Sequence, residues 1–119
     1  MTSTLRHART EGKSCTGGDV ILVSLGHGQG GEIRKTRPCV VISPDVVNDR
    51  LPTFIVAPMT TGGHAYPFRV PCRFEGKSGF VVLDQIRTVD RARVSRRLGR
   101  LTPRTMETVL HALQAMFAV

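Results

Sequence analysis

The sequence predicts a mainly β domain, a small β-barrel, closed or nearly so, finished by a C-terminal α-helix. Three observations carry this expectation. Short β-branched runs, each under about eight residues, recur between stretches bearing Gly, Pro and Asn, the pattern of strands and tight connections. A single late stretch repeats its apolar residues at three- and four-residue steps. The chain has 119 residues, room for one core and one domain.

Residues 1–17 are rich in Ser, Thr and basic side chains, with no apolar period. They are expected to form a flexible basic extension, with the folded domain over 18–119. A strand buried on both faces starts at Asp19 and runs through Val20, Ile21, Leu22, Val23 and Leu25. Gly26-His27-Gly28-Gln29-Gly30-Gly31 then fits the dinucleotide pattern G-x-G-x-x-G. That pattern needs a helix N-terminus to receive a pyrophosphate. Six residues separate Gly31 from Pro38, too few for a crossover helix, and the cofactor reading fails. What remains is a glycine-rich loop that folds over a ligand, or a plain hairpin connection.

Pro38 marks the entry to a second buried strand through Cys39, Val40, Val41 and Ile42, with Arg37 just outside its mouth. Pro44, capped by Ser43, predicts a helical turn through Asn48 that Pro52 ends. A third strand over 53–59 delivers Thr60, Thr61, Gly62 and Gly63 at its end. Strands over 68–72 and 79–84 follow, joined by a turn at Glu75, Gly76 and Lys77, and Pro71 assigns the first to a sheet edge. Residues 86–89 continue the second or begin another. Thr102 and Pro103 open the helix, and Met106, Val109, Leu110, Leu113, Met116 and Phe117 form its apolar stripe. On that reading Leu110→Ala costs about 2–5 kcal/mol. So small a sheet leaves edges to cover, and self-association is expected.

The formal net charge is +8 and the pI about 10.7, which points to an anionic partner, most often nucleic acid. Only Lys13, Lys35 and Lys77 are lysines among 17 basic residues. Guanidinium groups hold phosphate through paired hydrogen bonds, which an ammonium does not do. Arg87, Arg91, Arg93, Arg96, Arg97, Arg100 and Arg104 face only Asp84 and Asp90 over 84–104. So dense a stripe suits a polyanion track, or equally an acidic protein. Cys15, Cys39 and Cys72 show no paired spacing, which signals neither a disulfide framework nor a zinc motif. Without a membrane-length apolar run or a secretory signal, the chain is expected to be cytoplasmic and to need no membrane.

The two strand ends are expected to bring Arg37 and Thr60 together as a phosphate-handling site. Around them, Gly18-Asp19-Val20, Glu32, Thr36-Arg37-Pro38, Pro58-Met59-Thr60-Thr61, Tyr66-Pro67-Phe68 and Asp84-Gln85-Ile86-Arg87-Thr88-Val89-Asp90 occur in order. In these residues the chain resembles the MazF/PemK (Kid) family of toxin endoribonucleases from type II toxin–antitoxin modules. The resemblance runs from about Gly18 to Phe117. It implies an SH3-like barrel with a C-terminal helix, a homodimer, and cleavage of single-stranded RNA with neither metal nor cofactor. The 2′-hydroxyl attacks the adjacent phosphorus, giving 2′,3′-cyclic phosphate and 5′-hydroxyl ends. It also implies a MazE-like antitoxin whose acidic tail covers the RNA groove.

By the same resemblance the catalytic arginine falls on Arg37, the catalytic threonine on Thr60 and an active-site aspartate on Asp84. Thr61, Gln85, Arg87 and Arg69 are the expected RNA contacts. Kid-type members carry an arginine two residues before the aspartate, where this chain has Val82, and some carry a loop histidine where it has Gly31.

Chemically, Arg37 suits stabilisation of a crowded anionic phosphorane, and Thr60 can donate its hydroxyl to a non-bridging oxygen. Glu32 and Asp84 are the candidate bases, and His64 is a nearby group for acid–base work. Cys39 inside an apolar strand suits a buried hydrophobe better than a nucleophile. The competing reading is a non-catalytic barrel, either a gyrase-directed toxin of the CcdB type or a basic nucleic-acid-binding module.

Overall fold

Apolar residues alternate between two faces along the first strand, and both faces are buried. A computed structural model describes residues 14–26, 29–33 and 35–119. Residues 1–13, His27, Gly28 and Arg34 lie outside the described residues, and with them most of the expected extension and part of the glycine-rich loop. On the domain side of that extension, Cys15 is buried in the core and the Thr16 amide donates to Asp19 Oδ2 at 2.9 Å.

The strands are β1 (Asp19–Ser24), β2 (Thr36–Val41), β3 (Thr53–Thr61), β4 (Arg69–Phe74), β5 (Lys77–Val82), β6 (Arg87–Asp90) and β7 (Val94–Arg100). The helices are α1 (Asp45–Asn48) and α2 (Pro103–Met116), and one-turn 3₁₀ segments cover Leu83–Gln85 and Arg91–Arg93. All pairings are antiparallel, in the order β4-β5-β3-β2-β1-β7, with β6 also on β3. The mainly β fold with its C-terminal helix is therefore observed, but the sheet does not close into a barrel. β4 and β7 remain as its two ends. Pro71 lies on β4 as an edge position should, because it has no N–H to offer a further strand.

Side chains on one face, Ile21, Val23, Cys39, Val41, Phe54 and Val56, pack with Val89 and Val94. Those on the other, Val20, Val40, Ala57, Met59 and Val81, pack with Leu101 and the inner side of α2. This period of two explains why β1 and β2 read as continuous apolar runs.

Four expectations need correction. Pro38 lies inside β2, opposite Leu22, rather than at its entry. Pro44, not Ser43, is the cap position of α1. The Ser43 hydroxyl instead donates to Asn48 Oδ1 at 2.5 Å and accepts from the Ile55 amide at 3.0 Å. The arginine stripe is also not one polyanion track. Arg91 is buried, lies over the Phe54 ring at 4.4 Å and donates to the carbonyls of Leu51 and Asn48. Arg97 and Arg100 both reach the buried Asp19 carboxylate, at 3.2 and 2.9 Å. Lastly, Leu110 and Phe117 are 42% and 68% exposed. Met106, Val109, Ala112, Leu113 and Met116 carry the packing. At 100° per residue Leu110 and Phe117 lie roughly 80–100° around from Val109, where the sheet no longer covers the helix.

Candidate active site

The cleft that holds the candidate residues opens where the sheet splits. β2 and β3 pair only through Val41↔Val56, Val40↔Ala57 and Cys39↔Pro58. Beyond that pair, β2 stays with β1 while β3 turns to β5. Pro38 and Pro58 stand at the split, and neither has an N–H with which to extend a ladder. Two positions past Cys39↔Pro58, the same register would set Arg37 opposite Thr60. Both residues line a cleft of about 440 Å³ with Glu32, Thr61, His64 and Arg69.

Each wall is fixed by its own element. Thr60 sits on β3 opposite Phe80 of β5, and Thr61 sits opposite Gly79. Gly79 has to be glycine: a Cβ there would stand 1.6 Å from the Thr60 carbonyl oxygen. After Thr61 the chain turns through Gly62 and Gly63, at φ +68° and +95°, a region glycine enters without strain.

The opposite wall is the β1–β2 loop. Its neck is closed by Leu25 donating to the Lys35 carbonyl at 2.8 Å and Lys35 donating to that of Gly26 at 2.9 Å. This makes it a hairpin, consistent with rejecting a dinucleotide turn. Glu32 Oε1 accepts from the Gln29 amide at 2.7 Å. Gln85 pins the loop to the sheet, its Oε1 accepting from the Ile33 amide at 2.7 Å and its Nε2 donating to the Gly31 carbonyl at 3.1 Å.

Asp84, one residue before Gln85, holds Arg69 through two bonds of 2.9 Å. Bonding to Arg69 keeps the Asp84 carboxyl below its ordinary pKa and raises that of Arg69. Arg69 also lies over the Tyr66 ring at 4.9 Å. The 3₁₀ turn Leu83–Gln85 thus serves both walls, one side chain holding Arg69 and the next holding the loop.

Of the residues singled out by sequence, Arg37, Thr60, Glu32, Thr61, Arg69 and His64 line the one cleft. Asp84 reaches it through Arg69. Gln85 is spent on the loop backbone, and Arg87 Nη1 lies 3.5 Å from the Leu25 carbonyl oxygen at the loop's base. Sequence reasoning missed Gly79, which gives no signal until the strand register is known. Burial pushes the Cys39 thiol up to about 12, which leaves it protonated near neutral pH and unsuited to nucleophilic attack.

Fold and site together define a small basic β protein that presents a polar cleft with fixed positive charge. Residues 16–117 match the family described as PemK-like, MazF-like toxins of type II toxin–antitoxin systems. The chain is 35% identical over 104 residues to the Endoribonuclease MazF of Staphylococcus saprophyticus, covering 81% of this chain and 85% of that one. The chain belongs to this family, the toxin endoribonucleases of toxin–antitoxin systems. Its fold is similar to a crystal structure of MazF from Deinococcus radiodurans, with TM-score 0.78, 25% identity, and 89% and 98% of the two chains covered. It is also similar to a mycobacterial endoribonuclease solved in complex with its cognate antitoxin, with TM-score 0.72, 24% identity, and 85% and 92% covered.

Proposed function

We propose that this protein cuts single-stranded RNA at short recognised sequences without a metal, by attack of a 2′-hydroxyl on the adjacent phosphorus. The new O2′–P bond displaces the 5′-oxygen, leaving 2′,3′-cyclic phosphate and 5′-hydroxyl ends and halting translation of the message. The observation that carries this reading is the meeting of Arg37 and Thr60 in one open cleft at the split between β2 and β3.

Arg37 is exposed, and no carboxylate among the described residues pairs with it. Its fixed charge is free for the phosphorane, where negative charge develops. Thr60 donates its hydroxyl to a non-bridging oxygen. Glu32 takes the 2′-hydroxyl proton, and His64 returns one to the leaving 5′-oxygen. Asp84 is a poorer base because both its oxygens are engaged and its basicity is lowered. Its part is to aim Arg69 at the substrate. Arg69 is the register partner of Val82, so β4 supplies the guanidinium that Kid-type members place on β5. Thr61 contacts the flanking RNA directly, while Gln85 and Arg87 act on it through the loop.

Two partners belong to the same proposal. A MazE-like antitoxin with an acidic tail is supported by the net charge of +8 and the family. Homodimerisation in the cytoplasm is supported by the family and by the exposed Leu110 and Phe117.

The test is incubation of the purified protein with a long single-stranded RNA in EDTA, followed by mapping of the new ends. Cuts bearing 2′,3′-cyclic phosphate are expected, and they are expected to vanish in Arg37→Ala and Thr60→Ala at unchanged melting midpoints. No cuts, or cuts that require magnesium, would overturn the reading in favour of a non-catalytic binding domain on the same sheet.

A further inference from the structure

Resting on the nuclease reading above, we propose that the RNA leaves the catalytic cleft across Gly62 and Gly63 and enters a second groove. There Arg73 holds a phosphate of a nucleotide beyond the scissile one, and an apolar floor receives its base. This groove measures about 500 Å³ and lies between the β4–β5 hairpin and the first turn of α2, with Pro71, Arg73, Ser78, Phe80 and Thr105 in its walls.

Three features select a nucleotide as the occupant. The first is continuity. Gly63 and Phe80 line both the catalytic cleft and the groove, and Phe80 is the register partner of Thr60. A strand held at Thr60 therefore has the groove as its next surface in that direction. The divide between them is low, since a Cβ at Gly62 would meet nothing within 4 Å and bare backbone there lets a polymer lie close.

The second is charge. Arg69 is already held by Asp84, Arg97 and Arg100 share the one Asp19 carboxylate, and Arg91 is buried. Arg73 is exposed, and among the described residues its side-chain partner is the Ser78 hydroxyl at 3.3 Å. A guanidinium with a neutral partner retains its attraction for a phosphate.

The third is the pairing of surfaces. An aromatic ring and a proline beside a cation and a hydroxyl offer an apolar face to a base and donors to its phosphate. An apolar small molecule has no use for the cation, and an acidic peptide has little use for the ring.

The experiment is a set of RNA oligonucleotides of increasing length, extended one nucleotide at a time on either flank of a mapped cut. For the wild type, kcat/KM is expected to rise roughly tenfold when the extension on one flank reaches the groove, the scale of one charge-assisted contact. In Arg73→Ala that long-to-short ratio is expected to fall to near one, and Arg73→Lys to keep part of it. The exposed position lets both variants hold the wild-type melting midpoint, which circular dichroism checks. A ratio that is the same in Arg73→Ala and wild type overturns the subsite alone and gives the groove to a protein partner instead. A wild type that cuts no oligonucleotide and no long RNA overturns the nuclease reading, and the subsite with it.

Discussion

Both oxygens of Asp84 are occupied by Arg69, and this fixes what acid can do to the site. The bond lowers the Asp84 pKa from its ordinary value. A carboxyl whose folded pKa is depressed contributes stability above its unfolded pKa of about 3.9 and loses it only as pH falls through the lower folded value. The pair is exposed, so that contribution is small. Between about pH 5 and 9 the Asp84 charge does not change, and no limb of a pH–rate profile in that window belongs to it. Asp84→Asn is therefore expected to lower kcat/KM through a loosened Arg69 while leaving both limbs in place. Glu32→Gln and His64→Ala are each expected to lower kcat, the first by removing the base and the second the acid. Cleavage rates measured across that window check all three, and an acid limb that moves in Asp84→Asn would return the base assignment to Asp84.

A hairpin, a loop and a helix each carry a consequence of their own packing. The β1–β2 loop bears Glu32 and owes its position to the Gln85 amide, which fills one donor and one acceptor of the backbone at Gly31 and Ile33. Gln85→Ala should leave the sheet intact but free the loop, and cleavage should fall roughly tenfold or more as Glu32 loses alignment. Gln85→Glu keeps the acceptor and loses the donor, so it should fall between. Faster proteolysis within residues 26–35 would accompany the loss, and an unchanged digestion pattern would count against the clasp. In α2 the buried Val109 and the half-exposed Leu110 are neighbours with different fates. Val109→Ala is expected to cost about 2 kcal/mol in chemical denaturation. Leu110→Ala should cost under about 1 kcal/mol in the monomer, and a larger loss that grows with protein concentration would mark the residue as part of a dimer face.

At the level of the whole molecule, the sequence was readable where one residue type had one job. β-branched runs located β1, β2 and β3, and the Thr102–Pro103 start located α2, whose Thr102 hydroxyl accepts from the Thr105 amide at 3.2 Å. Arg37 and Thr60 could be paired because each ends an apolar run. β7 was not readable: its SRRLGR segment has no apolar alternation, since it is an edge strand facing water along most of its length. The use of each arginine was not readable either, because a guanidinium serves a buried carbonyl, a carboxylate or a phosphate with the same donors. That ambiguity is what makes the net charge of +8 misleading as a measure of RNA contacts. If the stripe over 84–104 formed one track, seven phosphates would give a steep salt dependence, near −5 in log K against log salt at about −0.7 per contact. With Arg91 buried and Arg97 and Arg100 bound to Asp19, the stripe keeps at most about four contacts, and its share of the slope is expected near −2 to −3. Arg97→Ala combined with Arg100→Ala then separates the two accounts. Removing both leaves the buried Asp19 carboxylate without its cations, and the melting midpoint should drop while the slope for a non-cleavable RNA holds. A slope shallower by about 1.4 at an unchanged midpoint would put those two arginines on the RNA instead.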